Sequence, residues 1–417
     1  MQKKLLAIAV AGALGAPAAV MAQTSTVQIF GTAYIEYGYV YKPGHAGAPN
    51  TLSGSGPGQR EKVDILQSPG SELGFKGEEK LGGNLSAWFQ CASTMDIRGQ
   101  SPEGFCSRNS ALGLKGGWGN VFIGRWDTPF KRTISPTNVA GNDTGLWGTA
   151  FLLTGGSTST LDSSSRATFK RRQANSINYD SPNFGGFQVM GSYSSTNGAT
   201  AFTSGVVNSK ARVGSVGAQY SAGPLFISAG YETHNQFGPQ IAAAVGAGGV
   251  PGVSDTHDWG WHVGAAYTWG PLRFGGQYTE QKFEPTNTSD AKYRAAHIGV
   301  DWTIVGPHGL RAAWTHAMDA KGGATIIGGN TNTLFTGTYR PAPCFSPALA
   351  TAASCGSTGA DLYQIRYVYT FSKRTEFNFG YVYLDNDSRA AYALGGLTAP
   401  NMGQNQGAFA LSMRHTF

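Results

Sequence analysis

From Val27 to Tyr37 the chain alternates. Val27, Ile29, Ala33, Ile35 and Tyr37 fall on one face, and Gln28, Thr32, Tyr34 and Glu36 on the other. Period two with one apolar and one polar face is the mark of a β-strand between two different media. Sixteen such segments recur. They start near Val27, Ser71, Leu85, Ser107, Val121, Gln173, Phe187, Ala211, Leu225, Asp258, Leu272, Ala291, Leu310, Asp361, Thr375 and Gly407. The last, Gly407 to Phe417, alternates to its final residue, with Phe409, Leu411, Met413, His415 and Phe417 on one side. Chain ends usually fray, so order up to an aromatic terminus is distinctive.

The connectors sort into two kinds. Short ones such as Leu81-Gly-Gly-Asn84, Ala222-Gly-Pro224, Gly270-Pro271 and Ser372-Lys-Arg374 carry turn chemistry. Long ones include 41–64, 196–210, 233–257, 321–360 and 386–406, with lesser ones near Ile97 and Phe283. The longest runs from Asp127 to about Arg171. In an up-and-down antiparallel sheet successive connectors lie at opposite ends, so short–long alternation puts all turns on one rim and all loops on the other. The pattern predicts an all-β fold: a sixteen-stranded antiparallel transmembrane β-barrel. Closure is required because lipid offers no partner to a free sheet edge. A Gly-rich β-solenoid would need a repeat of fixed period, and none is present.

Composition agrees. Gly is 60 of 417 residues, aromatic residues are 12% and charged residues only 13%. Long helices and coiled coils need more Glu, Lys, Ala and Leu. Disorder is opposed by the aromatic and β-branched content. Mean hydropathy is −0.21, and past the N-terminus no run of 18 apolar residues occurs, which excludes helical membrane spans. The first 22 residues differ: Lys3 and Lys4, then an Ala-rich apolar stretch, then Val20-Met21-Ala22. This reads as a signal peptide cut before Gln23, with residues 23–417 forming the barrel. Its removal lowers the formal net charge from +7 to +5. The four cysteines form two close pairs, Cys91 with Cys106 and Cys344 with Cys355. Three connectivities are possible, and local pairing is favoured because each interval reads as a strand end plus a loop. Neither spacing suits a zinc site, and no metal or cofactor is expected.

In this order the motifs resemble those of the trimeric general-diffusion porins of Gram-negative, especially beta-proteobacterial, outer membranes. Ser71-Glu-Leu-Gly-Phe-Lys-Gly-Glu78 is similar to the family's second strand. Gly119-Asn-Val-Phe-Ile-Gly-Arg-Trp-Asp-Thr-Pro129 is similar to the strand leading into the third loop. Arg172-Gln-Ala-Asn-Ser-Ile-Asn-Tyr-Asp-Ser-Pro182 is similar to the strand after it, and Leu411-Ser-Met-Arg-His-Thr-Phe417 to the closing strand. The resemblance implies three barrels per assembly, each with its long third loop folded into the lumen. It also implies passive diffusion of small hydrophilic solutes and ions. The setting would be outer-membrane lipid and lipopolysaccharide, with Phe417 as the signal read by the barrel assembly machinery. No nucleic-acid partner is implied.

The family sets basic residues on one wall of the constriction against acidic groups on the inserted loop. Lys76 and Arg172 match wall positions, and alternation sends both inward. Arg108 matches a third, although strict alternation groups it with Leu112 and Leu114 on the lipid side unless a bulge intervenes. Arg166 and Arg171 are looser candidates. Where the family usually has Arg before Leu-Gly-Phe, this chain has Glu72, on the same face as Lys76 and four residues away, which predicts partial cancellation of the Lys76 field. On the third loop Asp127, Asp143 and Asp162 are the acidic residues, and Asp143 lies mid-loop beside Gly141. The expected result is a weak preference for small anions.

Two rivals are weighed. A barrel hydrolase needs a nucleophile or carboxylates near His, but the eight His are scattered and no Gly-x-Ser-x-Gly elbow occurs; the chain is therefore read as a non-enzyme. A substrate-specific channel could use Tyr34, Trp126 and Trp147 as stacking surfaces. Trp88, Trp259, Trp261, Trp269 and Trp302, at strand ends, fit an aromatic girdle instead.

Overall fold

Alternating side chains can all be satisfied at once only if the sheet closes on itself, and the computed structural model shows that closure. It describes residues 27–41, 62–99, 104–154, 157–158, 169–195, 212–235, 257–286, 289–321 and, apart from a few positions between 389 and 402, 357–417. The proposed signal peptide, Arg166, Asp162, Cys344 and Cys355 lie outside these residues.

The barrel staves are β1 Gln28–Tyr41, β2 in two pieces (Lys62–Gln67 and Glu72–Gly82), β3 Leu85–Thr94 and β4 Ser110–Gly116. Next come β5 Gly119–Asp127, β6 Lys170–Asp180, β7 Phe187–Ser195, β8 Arg212–Ala222 and β9 Leu225–Asn235. Then follow β10 His257–Trp269, β11 Leu272–Thr286, β12 Ser289–Val305 and β13 His308–Ala317. The last are β14 Ala360–Ser372, β15 Thr375–Asn386 and β16 Gln406–Thr416. Each pairs antiparallel with its sequence neighbours, and β16 returns to β1, giving the closed sixteen-stranded barrel expected. One expected loop differs. The connector placed near Phe283 is only residues 287–288, because β11 and β12 run on beyond the predicted strand ends.

β2 breaks at Ser68–Ser71, where four residues face the three between Thr32 and Glu36 on β1. The ladder would leave Tyr34 unpaired there. Ser71 Oγ instead accepts from Tyr34 N at 2.8 Å and donates to Tyr34 O at 2.8 Å. A break in the ladder is thus tolerated without an orphaned buried backbone group.

The outer face carries exposed Ile29, Leu112, Ile123, Val216, Ile298 and Phe409. An apolar surface this continuous is stable only against lipid. The inner face is polar over much of its area but not throughout. Val40, Leu362, Val382, Leu384, Ala408 and Ala410 face inward and pack on Leu146, Trp147, Phe151 and Leu152 of the inserted segment. Ala390, Tyr392, Ala393 and Leu394, from the connector before β16, complete this core. Burying each large side chain contributes roughly 1.5–3 kcal/mol. That connector therefore folds into the barrel mouth. It is tied down by Asn386 Nδ2 to Tyr392 O at 2.9 Å and by Leu394 N to Gln406 Oε1 at 2.9 Å.

Closure is finished at the last residue. The Gly31 and Phe417 backbones exchange two hydrogen bonds of 3.1 Å. The Phe417 ring lies over Gly31, where a Cβ would sit 2.6 Å from Cζ. Deleting Phe417 removes this bond pair at the seam. We expect a smaller folded fraction by heat-modifiable gel mobility than after trimming residues 322–356; equal folding of both variants would contradict the seam as a weak point.

Candidate functional site: the lumenal constriction

The segment between β5 and β6 enters the lumen at Thr128. Its side chain caps α1, Pro129–Ile134, accepting from Lys131 N at 3.5 Å, and Pro129 suits the first helical turn. Phe130 and Ile134, one turn apart, bury against Phe169 and Phe283. A short 3₁₀ turn, Ser135–Thr137, follows, and after a tight turn the chain forms α2, Ala150–Leu153.

Five adjacent strands make room for this path with glycine. A Cβ would lie 2.8 Å from Thr133 Cγ2 at Gly217, 2.7 Å from Thr133 Oγ1 at Gly230 and 2.5 Å from Thr137 Oγ1 at Gly264. At Gly275 and Gly299 it would lie 2.3 and 2.0 Å from Val139 atoms. Polar groups between the glycines hold the segment. Ser215 Oγ accepts from Phe130 N at 3.0 Å, Ser228 Oγ donates to Thr133 O at 2.7 Å, and Thr137 Oγ1 donates to Gln277 Oε1 at 2.8 Å. His262 bonds Thr133 Oγ1 at 2.8 Å, and His297 Nε2 bonds Val139 O at 2.9 Å.

The far end is held by Glu36 on β1. Its buried carboxylate accepts from Leu146 N at 2.8 Å, from Gln67 Nε2 at 3.1 Å and from the Tyr34 hydroxyl. Gly145, at φ 81°, brings the backbone close enough: a Cβ there would lie 2.3 Å from Glu36 Oε2.

Between the segment and the wall lies a cavity of about 500 Å³. Its charged lining is Glu72, Arg108, Lys131, Asp143, Arg172, Arg366, Glu376 and Arg414. Arg172, buried in the wall, has Nε 3.1 Å from Asp127 Oδ1 and donates to Asn109 Oδ1 at 2.7 Å. Asp127 also meets Lys131 Nζ at 3.0 Å, one helical turn on. Asp143 reaches in from the loop, with Lys170 Nζ 2.5 Å from Oδ1. Burial alone would raise the Asp143 carboxyl; the Lys170 and Lys131 cations outweigh it and hold Asp143 below the usual carboxylate range. It is therefore anionic throughout the neutral pH range.

Arg108 lies inward, Nε 2.6 Å from Glu72 Oε2. The phase conflict is resolved by a bend rather than a bulge in the strand. β4 starts only at Ser110, and Cys106 has φ 56°, so the alternation restarts between them. Hydroxyls take the displaced ladder bonds: Ser110 Oγ accepts from Ala92 N at 3.0 Å and Ser107 Oγ from Thr94 N at 3.1 Å. The Cys91–Cys106 disulfide, with Cα atoms 4.8 Å apart, pins the same bend to β3.

Lys76 faces inward but does not line this cavity. It lines a second one with Gln28, Glu78, Trp88, Gln90 and Lys115, and its Nζ lies 5.2 Å from the Phe30 ring centre. Glu72 consequently bonds Arg108 rather than offsetting Lys76. Arg171 is fully buried away from the cavity. Trp147 is also fully buried, with the Arg366 guanidinium 5.0 Å from its ring centre, so it anchors the loop and offers no face to a solute. Tyr34 lines the cavity and accepts from Asn142 Nδ2 at 3.2 Å. Trp88 departs from the expected girdle: it faces the lumen beside Phe122 and Trp126. Trp269 and Trp302 are exposed on the outside.

Lys131, Lys170, Arg366, Glu376 and Arg414 were not singled out from the sequence. Two of them were within reach. Arg414 lies between outward Met413 and His415, and Arg366 between outward Ile365 and Tyr367, so period two already places both in the lumen. What the alternation lacks is depth along the barrel.

A closed barrel with an apolar exterior and a charged, loop-narrowed lumen defines a transmembrane β-barrel of the channel-forming class. The chain belongs to the Gram-negative porin family, whose match spans residues 6–389, and it is an outer-membrane protein. It is 27% identical over 334 residues to the outer membrane porin protein 32 of Delftia acidovorans, covering 79% of this chain and 84% of that one. It is 29% identical over 240 residues to a major outer membrane protein P.IB of Neisseria meningitidis serogroup B, covering 57% and 61%. With the P.IB of Neisseria gonorrhoeae it shares 34% identity over 120 residues, covering 28% and 30%. The matched stretches thus span less than two thirds of the Neisseria proteins. Among solved structures, an anion-selective porin from Comamonas acidovorans aligns at TM-score 0.64 with 20% identity, over 94% of this chain and all of that one. OmpT of Vibrio cholerae in a trimer form aligns at TM-score 0.58 with 14% identity, over 95% and 100%. At these identities the structures speak for the fold alone.

Replacing Glu36 by Ala removes the acceptor shared by Leu146 N, Gln67 and Tyr34, at a cost of roughly 1–3 kcal/mol for each buried donor left unpaired. The loop tip should loosen, and single-channel recordings should show higher open-channel noise. Gly264→Leu should push Thr137 away from the wall and lower conductance. Unchanged traces for both variants would mean that the loop does not set the bore.

Proposed function

We propose that this porin forms a water-filled channel for passive diffusion of small hydrophilic solutes, with a weak preference for anions, and that it works as a homotrimer. One observation carries the ionic reading. Five basic and three acidic side chains line the narrow cavity, and each of the three acids is paired. Glu72 pairs with Arg108, Asp143 with Lys170, and Glu376 with Arg311. Among the described residues Arg366 and Arg414 have no carboxylate within salt-bridge distance; Arg414 is exposed in the lumen, and Arg366 is buried against Trp147, so these two leave the lining with a positive excess. Transport of this kind needs binding weak enough to release and no chemical step. The Comamonas acidovorans porin of the same fold is described as anion-selective, and the Vibrio cholerae OmpT as forming a trimer. Export with removal of residues 1–22 completes the reading, and N-terminal sequencing of outer-membrane material should begin at Gln23.

A unit charge about 7 Å from a passing ion is worth roughly 2 kcal/mol at an effective dielectric of about 20. Physiological salt, with a Debye length of about 8 Å, reduces this to about 1 kcal/mol. Removing one arginine should therefore change the anion-to-cation permeability ratio a few-fold. Reversal potentials in a KCl gradient should show Arg366→Gln and Arg414→Gln each lowering anion preference, and Glu72→Gln raising it by freeing Arg108. A larger shift from Lys76→Glu than from either arginine variant would move the selective section away from this cavity. Chemical crosslinking of detergent-extracted protein should yield a trimer.

A further inference from the structure

The second lumenal cavity, about 440 Å³, lies between the constriction and the short-turn rim. Glu72 and Lys76 share one strand face, and four residues of strand separate the two levels by about 13 Å. A solute crossing the constriction therefore meets both in turn. Its inward side chains are Gln28, Lys76, Glu78, Trp88, Gln90 and Lys115. Glu78 is already shared by Lys80 at 2.8 Å and Lys115 at 2.5 Å. Lys76 is different. Its ammonium sits over the Phe30 ring, and among the described residues no carboxylate bonds to it. A cation held on a ring face at the edge of a wet cavity keeps donors for an incoming anion.

Trp88 supplies the other half. Its ring packs against Phe122 at 5.4 Å and edge-on to Trp126 at 5.7 Å, and its Nε1 donates to Asn120 Oδ1 at 2.8 Å. Three contacts hold the indole in place, so little freedom is lost when a ring docks on it. Glutamines 28 and 90 add neutral hydrogen-bonding groups at the rim of the same cavity.

We propose that this vestibule is a binding subsite for small aromatic carboxylates of benzoate type. The ring would lie against Trp88 and the carboxylate would meet the Lys76 ammonium, on the periplasmic side of the constriction. This rests on the reading of the protein as an open channel. The subsite delays a class of solute the channel passes, as saturable residence within an otherwise unselective route.

The test is single-channel recording in a planar bilayer, with KCl conductance measured first and sodium benzoate then added on the short-turn side. Benzoate should cause saturable, concentration-dependent interruptions, and acetate at equal concentration should not. Trp88→Ala and Lys76→Gln should each weaken the block about three- to tenfold, with KCl conductance nearly unchanged. Trp88→Phe should retain most of the block, which separates loss of the ring from damage to the wall. A conducting channel that benzoate and acetate affect alike would overturn the subsite and leave the channel reading standing. Interruptions by glucose as strong as those by benzoate would overturn the anionic assignment.

Discussion

A sheet in lipid cannot leave a backbone N–H or C=O unpaired, because hydrocarbon returns nothing for the lost water. Everything else in this molecule follows from that rule. It forces β16 back onto β1 and extends the pairing through Phe417 to Gly31. Where the ladder breaks, at Ser68–Ser71 and before Ser110, hydroxyls step in for the missing backbone partners. The irregular points are thus tolerated only because serine, which can donate and accept in the same place, occupies them.

The closed wall then acts as a rigid former for the segment inside it. A loop crossing a barrel must bury its own backbone against strands that bristle with side chains. Here five successive strands each withdraw one side chain along its path, and neighbouring Ser, Thr, Gln and His groups return the hydrogen bonds. At the far end the loop tip shares an apolar core with Trp147, Leu362, Val382 and the connector before β16. The lumen is therefore divided in function: one side is filled and apolar to hold the constriction, and the other is open and charged.

Charge in the open part is mostly neutralised at short range. Asp127, Asp143, Glu72 and Glu376 each face a cation, while among the described residues Arg366 and Arg414 have no carboxylate within salt-bridge distance. Pairing holds the narrow section in one shape; Arg414 is exposed in the lumen, and Arg366 is buried against Trp147. Lys76, one level below, belongs to a separate vestibule where the Phe30 ring, not a carboxylate, lies beside its ammonium.

Period-two alternation in the sequence determined the strand number, the order of short turns and long loops, and which side chains face inward. It did so because facing is a local property, set by the pleat and repeated every second residue. Lys76, Arg172 and Glu72 follow that alternation into the lumen, in agreement with the wall positions the family resemblance gives Lys76 and Arg172. Depth along the axis was a different matter. Whether Glu72 meets Lys76 or Arg108 depends on how β2, β3 and β4 stagger, and the bend at Cys106 alters that stagger by means no periodicity records. The role of Trp147 was likewise decided in three dimensions, because it is buried by strands more than 200 residues further along the chain. Alternation already puts Trp88 on the face of Ser86 and Gln90, and only its packing against Phe122 and Trp126 needed the fold. Local sequence dictates the face of a strand. Only closure of the whole barrel brings distant faces to the same height, and electrostatic pairing acts between groups at the same height.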